Sequence, residues 1–218
     1  MGLDMYLDRY PRYKDYTPRD LAEISHWYNY YAGKESLEDY CEANHVRIPS
    51  EEDKKVLDSF LHTTYSEWDN EHKHPYKELY DNVAYWRKAN AIHKWFVENV
   101  QDGEDDCDMH NEVTEQKLTE LRGKCKRVLD GTVLVPGKVE NGKTMVGNRW
   151  VSHYEDGFVV VNPEVCEEEL PTASGFFFGG TDYNQWYIED IRHTYEVCEK
   201  LLKETDFEKQ MLYYCSSW

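Results

Sequence analysis

Positive charge is scarce in this chain: 25 Lys and Arg stand against 43 Asp and Glu, for a formal net charge of -18 at pH 7. Such a surface repels phosphate backbones at long range, so direct nucleic-acid binding is not expected. A local convergence of Arg and Lys can still hold an anion, and the acidity can mimic a nucleic acid toward a basic partner protein. No apolar run approaches the roughly 20 residues that a membrane span requires. Residues 1–16, MGLDMYLDRYPRYKDY, lack a cationic segment followed by an apolar one, and Tyr6 stands where a myristoylation signal wants Ser or Thr. Neither a secretory leader nor a lipid anchor is therefore expected there, and no membrane association. The six cysteines lie far apart without a C-x-x-C pair, which favours reduced thiols in a cytoplasmic compartment. No G-x-x-x-x-G-K-[ST], G-x-G-x-x-G or G-x-S-x-G occurs, so phosphate-loop, dinucleotide and serine-hydrolase chemistry have no support.

Large core residues, by contrast, are present. The 218 residues are 40% hydrophobic and 15% aromatic, with 18 Tyr and 7 Trp. A real core follows, and the mean hydropathy of -0.86 reflects charge and Tyr rather than a shortage of apolar bulk. Leu3, Met5 and Leu7 alternate with polar neighbours, an opening strand with Asp4, Tyr6 and Asp8 on its wet face. Thr17, Pro18 and Asp20 form a helix start, with a run to about Ala32 and a stop at Gly33. Ser36 begins a short helix through Cys41, and Ser50 with Asp53 begins another through about Thr63. The segment from Leu79 to Val100 reads as one helix, since Trp86, Ala89, His93, Phe96 and Val97 share a face. Thr114 caps a helix ending at Asp130–Gly131. Two hairpins are predicted, with turns at Asn141–Gly142 and Asp156–Gly157. Phe176–Phe178 reads as a buried strand, Thr181 as the cap of a helix from Tyr183 to Lys203, and Gln210–Cys215 as a strand. The predicted architecture is α+β: a single domain over residues 1–218, with a small mixed or antiparallel sheet packed by long helices. A β-rich hairpin insertion occupies residues 131–163.

Several motifs invite chemistry. His93 lies on the apolar stripe of its helix with Asn90 beside it, which suits a hydrogen-bonded core histidine as well as a catalyst. His72 and His74 make an H-x-H pair, but zinc needs three or four ligands and nothing nominates the others. His62-Thr63-Thr64 is half of a two-histidine phosphodiesterase signature, and no second copy exists. The acidic loop from Asp102 to Asp108 has its Gly at the wrong place for an EF-hand. No metal and no cofactor are therefore expected. Ser174, Gly175, Gly179 and Gly180 precede Thr181 and Asp182, where a helix N-terminus can receive a polar ligand.

Together the segments GLDMYL, YWRKANAIHKWF and LPTASGFFFGGTDYNQWY resemble a family of uncharacterised bacteriophage-encoded proteins. The resemblance covers most of the chain and fits Gly131–Pro163 poorly. It carries no activity and no residue role. What it implies is an accessory phage protein in the bacterial host cytoplasm, countering host immunity by sequestering a signalling nucleotide, degrading it, or blocking a defence protein.

These readings place a pocket between the Tyr85 helix and the Ser174–Tyr187 segment. Tyr85, Arg87, Asn90, His93, Ser174, Thr181, Asp182 and Tyr183 are its expected polar lining, with Arg87 for a phosphate or carboxylate. Three function classes stay open. One is a non-catalytic binder of a nucleotide-type small molecule. Another is a hydrolase or transferase using His93 and Asp182 as acid and base. The third is an acidic inhibitor of a host defence protein.

Overall fold

A computed structural model of the protein describes residues 2–65, 75–107, 111–175 and 178–218. The fold is α+β with small antiparallel sheets. Its elements run β1 (Asp4–Pro11), α1 (Pro18–Tyr30), α2 (Leu37–Ala43), α3 (Glu51–Phe60), β2 (His62–Tyr65), β3 (Pro75–Glu78), β4 (Asp81–Arg87) and α4 (Asn90–Asn99). They continue with β5 (Asn111–Glu112), α5 (Glu115–Gly131), β6 (Leu134–Val146), β7 (Arg149–Val160), α6 (Glu164–Glu169), α7 (Gln185–Glu204) and β8 (Gln210–Ser217). One sheet has the order β4-β1-β8-β5, so the opening and closing strands are neighbours. The pairs β2–β3 and β6–β7 are each antiparallel. The chain forms two compact units: Met1–Tyr6 with Ala84–Thr205 and Tyr214–Trp218, and Leu7–Val83 with Asp206–Tyr213.

In the second unit, Tyr10, Tyr16, Leu21, Ile24, Leu37, Cys41, Leu57 and Leu79 form a buried cluster. Local chemistry starts its helices where the sequence predicts. Thr17 Oγ1 accepts from Asp20 N at 3.2 Å, while Asp20 Oδ2 accepts from Thr17 N at 2.8 Å. Ser50 and Asp53 repeat this box on α3, and Ser36 caps α2. Asp20 does more than cap, because its Oδ1 also accepts from Arg47 N at 3.1 Å. Thr17→Ala is expected to cost about 1 kcal/mol, a typical cap loss. Asp20→Ala should cost roughly twice that in urea titrations, since the Arg47 amide loses its partner as well. Asp8 departs from its expected wet face: it is 8% exposed and accepts from Asn82 Nδ2 at 2.8 Å.

In the first unit, α5 buries Leu118, Leu121, Cys125 and Val128, and α7 packs on it with Ile188, Ile191, Cys198 and Leu201 buried. The single helix expected over Leu79–Val100 is instead a strand followed by a helix. β4 alternates, with Ala84 and Trp86 buried and Tyr85 and Arg87 exposed. Lys88 then takes φ +61°, and α4 begins at Asn90. Trp86, Ala89, His93 and Phe96 are all buried, so an apolar spacing that looked helical is shared by two elements. Aromatic and β-branched residues from Val83 to Trp86 favour the pleat.

The two expected hairpins are one long ribbon. β6 pairs with β7 from Leu134↔Val160 to Val146↔Arg149, and the turn lies at Gly147–Asn148. Asn141–Gly142 forms a bulge, where Gly142 at φ +88° absorbs the register shift between Glu140 and Lys143. Gly157 lies opposite Gly137, where a Cβ would come within 2.7 Å of Val139 Cγ2; its role is space, not a turn. The cap of α7 is Asn184 rather than Thr181, with Oδ1 accepting from Trp186 N at 2.9 Å. Phe178 lies in a bend rather than a strand, and 176–177 fall outside the described residues. All six cysteines are free thiols, and four are buried. No described helix is long and apolar enough to cross a membrane.

Candidate functional site

The site grows from the corner between β4 and α4. Lys88 N donates to Leu3 O at 2.8 Å, and the left-handed turn at Lys88 sends the chain away from the sheet. The Asn90 side chain then fastens the distant loop. Its Nδ2 donates to Phe178 O at 3.0 Å and to Gly180 O at 2.7 Å, and its Oδ1 accepts from Ala173 N at 3.0 Å. Gly179 sits against this corner at φ +87°, where a Cβ would meet Lys88 Cβ at 3.3 Å. Glycine is required there for both conformation and approach. The two segments singled out in the sequence are thus joined side by side.

The hairpin supplies another wall. Val159 and Asn184 form a β-bridge, Val160 N donates to Tyr183 O at 3.1 Å, and Phe158 N donates to Gln185 Oε1 at 2.9 Å. Cross-strand partners point to one face, so the pairing Lys143↔Ser152 and Met145↔Trp150 puts Lys143 on the Trp150 face. The bulge keeps Glu140 on that face too, and Lys143 Nζ lies 3.3 Å from Glu140 Oε1.

A cleft of about 840 Å³ opens between these parts. Arg87, Lys88 and Lys143 bring cations to it, Trp150 and Trp186 bring rings, and Glu140, Asp182, Glu189 and Asp190 bring carboxyls, that of Asp190 partly buried. Trp150 is 65% exposed and Trp186 45%, which leaves indole surface open to a ligand. Arg87 Nε is 4.0 Å from Asp4 Oδ1, whereas Lys88 has no ionic partner among the described residues. Burial, reinforced by adjacent Glu189, pushes the Asp190 carboxyl up to about 7. A neutral carboxyl in a cleft is a hydrogen-bond donor that an ordinary aspartate is not.

The expected lining is only partly gathered here. Arg87, Asn90 and Asp182 line the cleft. Tyr85 is on the exposed side of β4, where its hydroxyl donates to Asp4 and its ring tilts over Tyr6. Ser174 and Thr181 are exposed loop residues, and the Thr181 carbonyl accepts from Thr172 Oγ1 at 3.0 Å. Tyr183 Oη accepts from Thr172 N at 3.4 Å. Its ring meets Tyr187 edge-on at 5.0 Å.

His93 is 1% exposed. Its Nδ1 is 2.8 Å from Tyr214 Oη and its Nε2 is 3.1 Å from Asp105 Oδ2, so both ring nitrogens are occupied. The acid–base pairing of His93 with Asp182 is therefore not formed. Phe96 stacks on Tyr214 at 4.0 Å, and the cluster is a satisfied polar core. Asp105, drawn from the acidic loop, also accepts from Trp218 Nε1 at 3.2 Å.

Lys88, Lys143, Trp150, Trp186 and Asp190 were missed by sequence reasoning. Two of them stand on the hairpin that the phage-family resemblance fits poorly. No group of three or more His, Cys, Asp or Glu able to hold a metal occurs among the described residues. His72 and His74 lie outside them. Comparison of the chain with protein-family models, with curated proteins and with solved structures gives no match.

Proposed function

We propose that the cleft binds a nucleotide-type small molecule, a flat ring system carrying an anionic group, and holds it without changing it. The observation that supports this reading is the convergence of two exposed indoles with Arg87, Lys88 and Lys143 around one concavity. Rings stack on indole faces, and Lys88, the lining cation without an ionic partner among the described residues, is placed to meet the anionic group, whereas Arg87 and Lys143 already face Asp4 and Glu140. In the setting that the phage-family resemblance implies, the protein acts in the host cytoplasm by sequestering a nucleotide immune signal. Asp190 favours a second reading, a hydrolase or transferase in which that carboxyl donates the proton to a leaving group.

The deciding experiment incubates the purified protein with cyclic dinucleotides and ADP-ribose derivatives, then heat-denatures it and analyses the supernatant by chromatography. Sequestration depletes the free nucleotide and returns it intact, and catalysis returns a changed product. A bound nucleotide should stabilise the fold by roughly 2.7 kcal/mol at a hundredfold excess over Kd. Trp150→Ala is expected to weaken binding about 10- to 100-fold, the usual loss of one stacking partner, with an unchanged melting temperature without ligand. Should every nucleotide leave the melt unmoved and emerge both undepleted and unchanged, the small-molecule readings fail and an acidic inhibitor of a basic defence protein replaces them.

A further inference from the structure

The corner between α1 and α2 holds a different concavity, of about 610 Å³, in the unit that does not contain the cleft. His26, Tyr31 and Tyr40 line it together with Glu23 and Glu35. The three rings are mutual neighbours: Tyr31 and Tyr40 are 5.0 Å apart, and His26 lies 5.7 Å from Tyr31 and 6.4 Å from Tyr40. Tyr40 is anchored in the core at 5% exposure, whereas Tyr31 is 37% exposed at the end of α1. The connection is held in shape by Tyr31 N donating to Trp27 O at 2.9 Å and Trp27 Nε1 donating to Glu35 O at 3.2 Å.

The charge of this groove is of one sign. No Lys or Arg lines the concavity. Glu23 Oε2 accepts from Tyr40 Oη at 2.7 Å, and neither Glu23 nor Glu35 has an ionic partner among the described residues. A phenol that donates to a carboxylate carries a more electron-rich ring, and a ring face attracts cations through its quadrupole. An aromatic wall beside two uncompensated carboxylates suits a cation that is both charged and greasy.

We infer that this groove binds an organic ammonium group, with its alkyl shell against the exposed ring of Tyr31, which Tyr40 backs from the core, and its charge facing Glu23 and Glu35. Ammonium chemistry is carried both by small quaternary cations and by lysine side chains, so two probes separate the sources. Tetramethylammonium and N-acetyl-lysine amide are titrated into the full chain at constant ionic strength and followed by proton NMR. A group seated on ring faces shows a saturable upfield shift. Saturation by tetramethylammonium alone assigns a quaternary cation, and saturation by the lysine amide assigns a primary one.

Tyr31→Leu should weaken binding at least tenfold, Glu35→Gln severalfold, and Tyr31→Phe hardly at all, because the ring face is retained. Tyr31 is exposed enough that these variants keep the fold, which a melting curve verifies. Shifts that never saturate, or that are equal in Tyr31→Leu, overturn the inference. Nucleotide binding in the cleft is untouched by either result, since the two sites share no residue.

Discussion

Asn90→Ala is expected to lower stability by about 2–4 kcal/mol, because three hydrogen bonds worth about 1 kcal/mol each disappear and buried groups are left without partners. For a chain of this size that corresponds to a fall of at least several degrees in melting temperature. The same substitution should abolish nucleotide binding even where the protein remains folded. Asn90 ties Phe178, Gly180 and Ala173 to the β4–α4 corner, and Thr172, Gly179 and Gly180 of the same loop line the cleft. Asn90→Asp makes a sharper control. It retains an acceptor for Ala173 N but points a second oxygen at two carbonyls, so it should destabilise at least as much as alanine. An aspartate variant with wild-type urea midpoint and wild-type binding would show that the amide does not clamp this loop.

Stability should fall as pH rises from mildly acidic to mildly alkaline. Burial is the main reason that Asp190 stands at about 7 and Asp8 at about 6, each well above the ordinary 3.8 of an aspartate. A raised carboxyl pKa means that the folded state keeps its proton where the unfolded state has lost it. Between about pH 4 and each folded pKa, every unit of pH therefore removes about 1.4 kcal/mol per group, an upper bound because both sites are partly solvated.

Below that window the slope reverses. Asp53, held low by Lys14, and Glu169, held low by Arg127, lose their partners' support as they are protonated. The maximum should thus lie in mild acid. Self-repulsion of a chain at -18 acts in the same direction, so a variant is needed to separate the causes. Asp190→Asn should raise the melting temperature at pH 8 and flatten the slope between pH 5 and 8. An unchanged slope in that variant would assign the pH dependence to global charge instead.

Much of the fold was legible because its signals are local. The boxes at Thr17–Asp20 and Ser50–Asp53 and the caps at Ser36 and Thr114 each involve groups within three residues, and each starts a helix where expected. Strands β1 and β8 follow from alternation and composition over a few positions. The candidate site was legible only in part. Arg87, Asn90 and Asp182 line the cleft, but its two exposed indoles and two of its three cations were not assigned to it. A tryptophan reads as core until its surroundings are known, and neither Trp150 nor Lys143 is near the corner in sequence.

The chain by itself determined its class, its acidic surface, its helix starts and its opening and closing strands, since propensity, capping and charge act over a turn or a strand. Only the tertiary structure decided where the Leu79–Val100 segment changes from strand to helix. A single apolar spacing satisfies both elements once Trp86, Ala89 and Phe96 are all buried. Long-range pairing also converted two turn signals into one ribbon, for Gly142 and Gly157 serve a bulge and a crowded cross-strand contact that no local window contains. The cleft exists because that ribbon bonds to the start of α7 while Asn90 reaches more than eighty residues along the chain to hold Phe178 and Gly180. Such contacts are set by what packs against what, and the residues that make them are far apart in sequence.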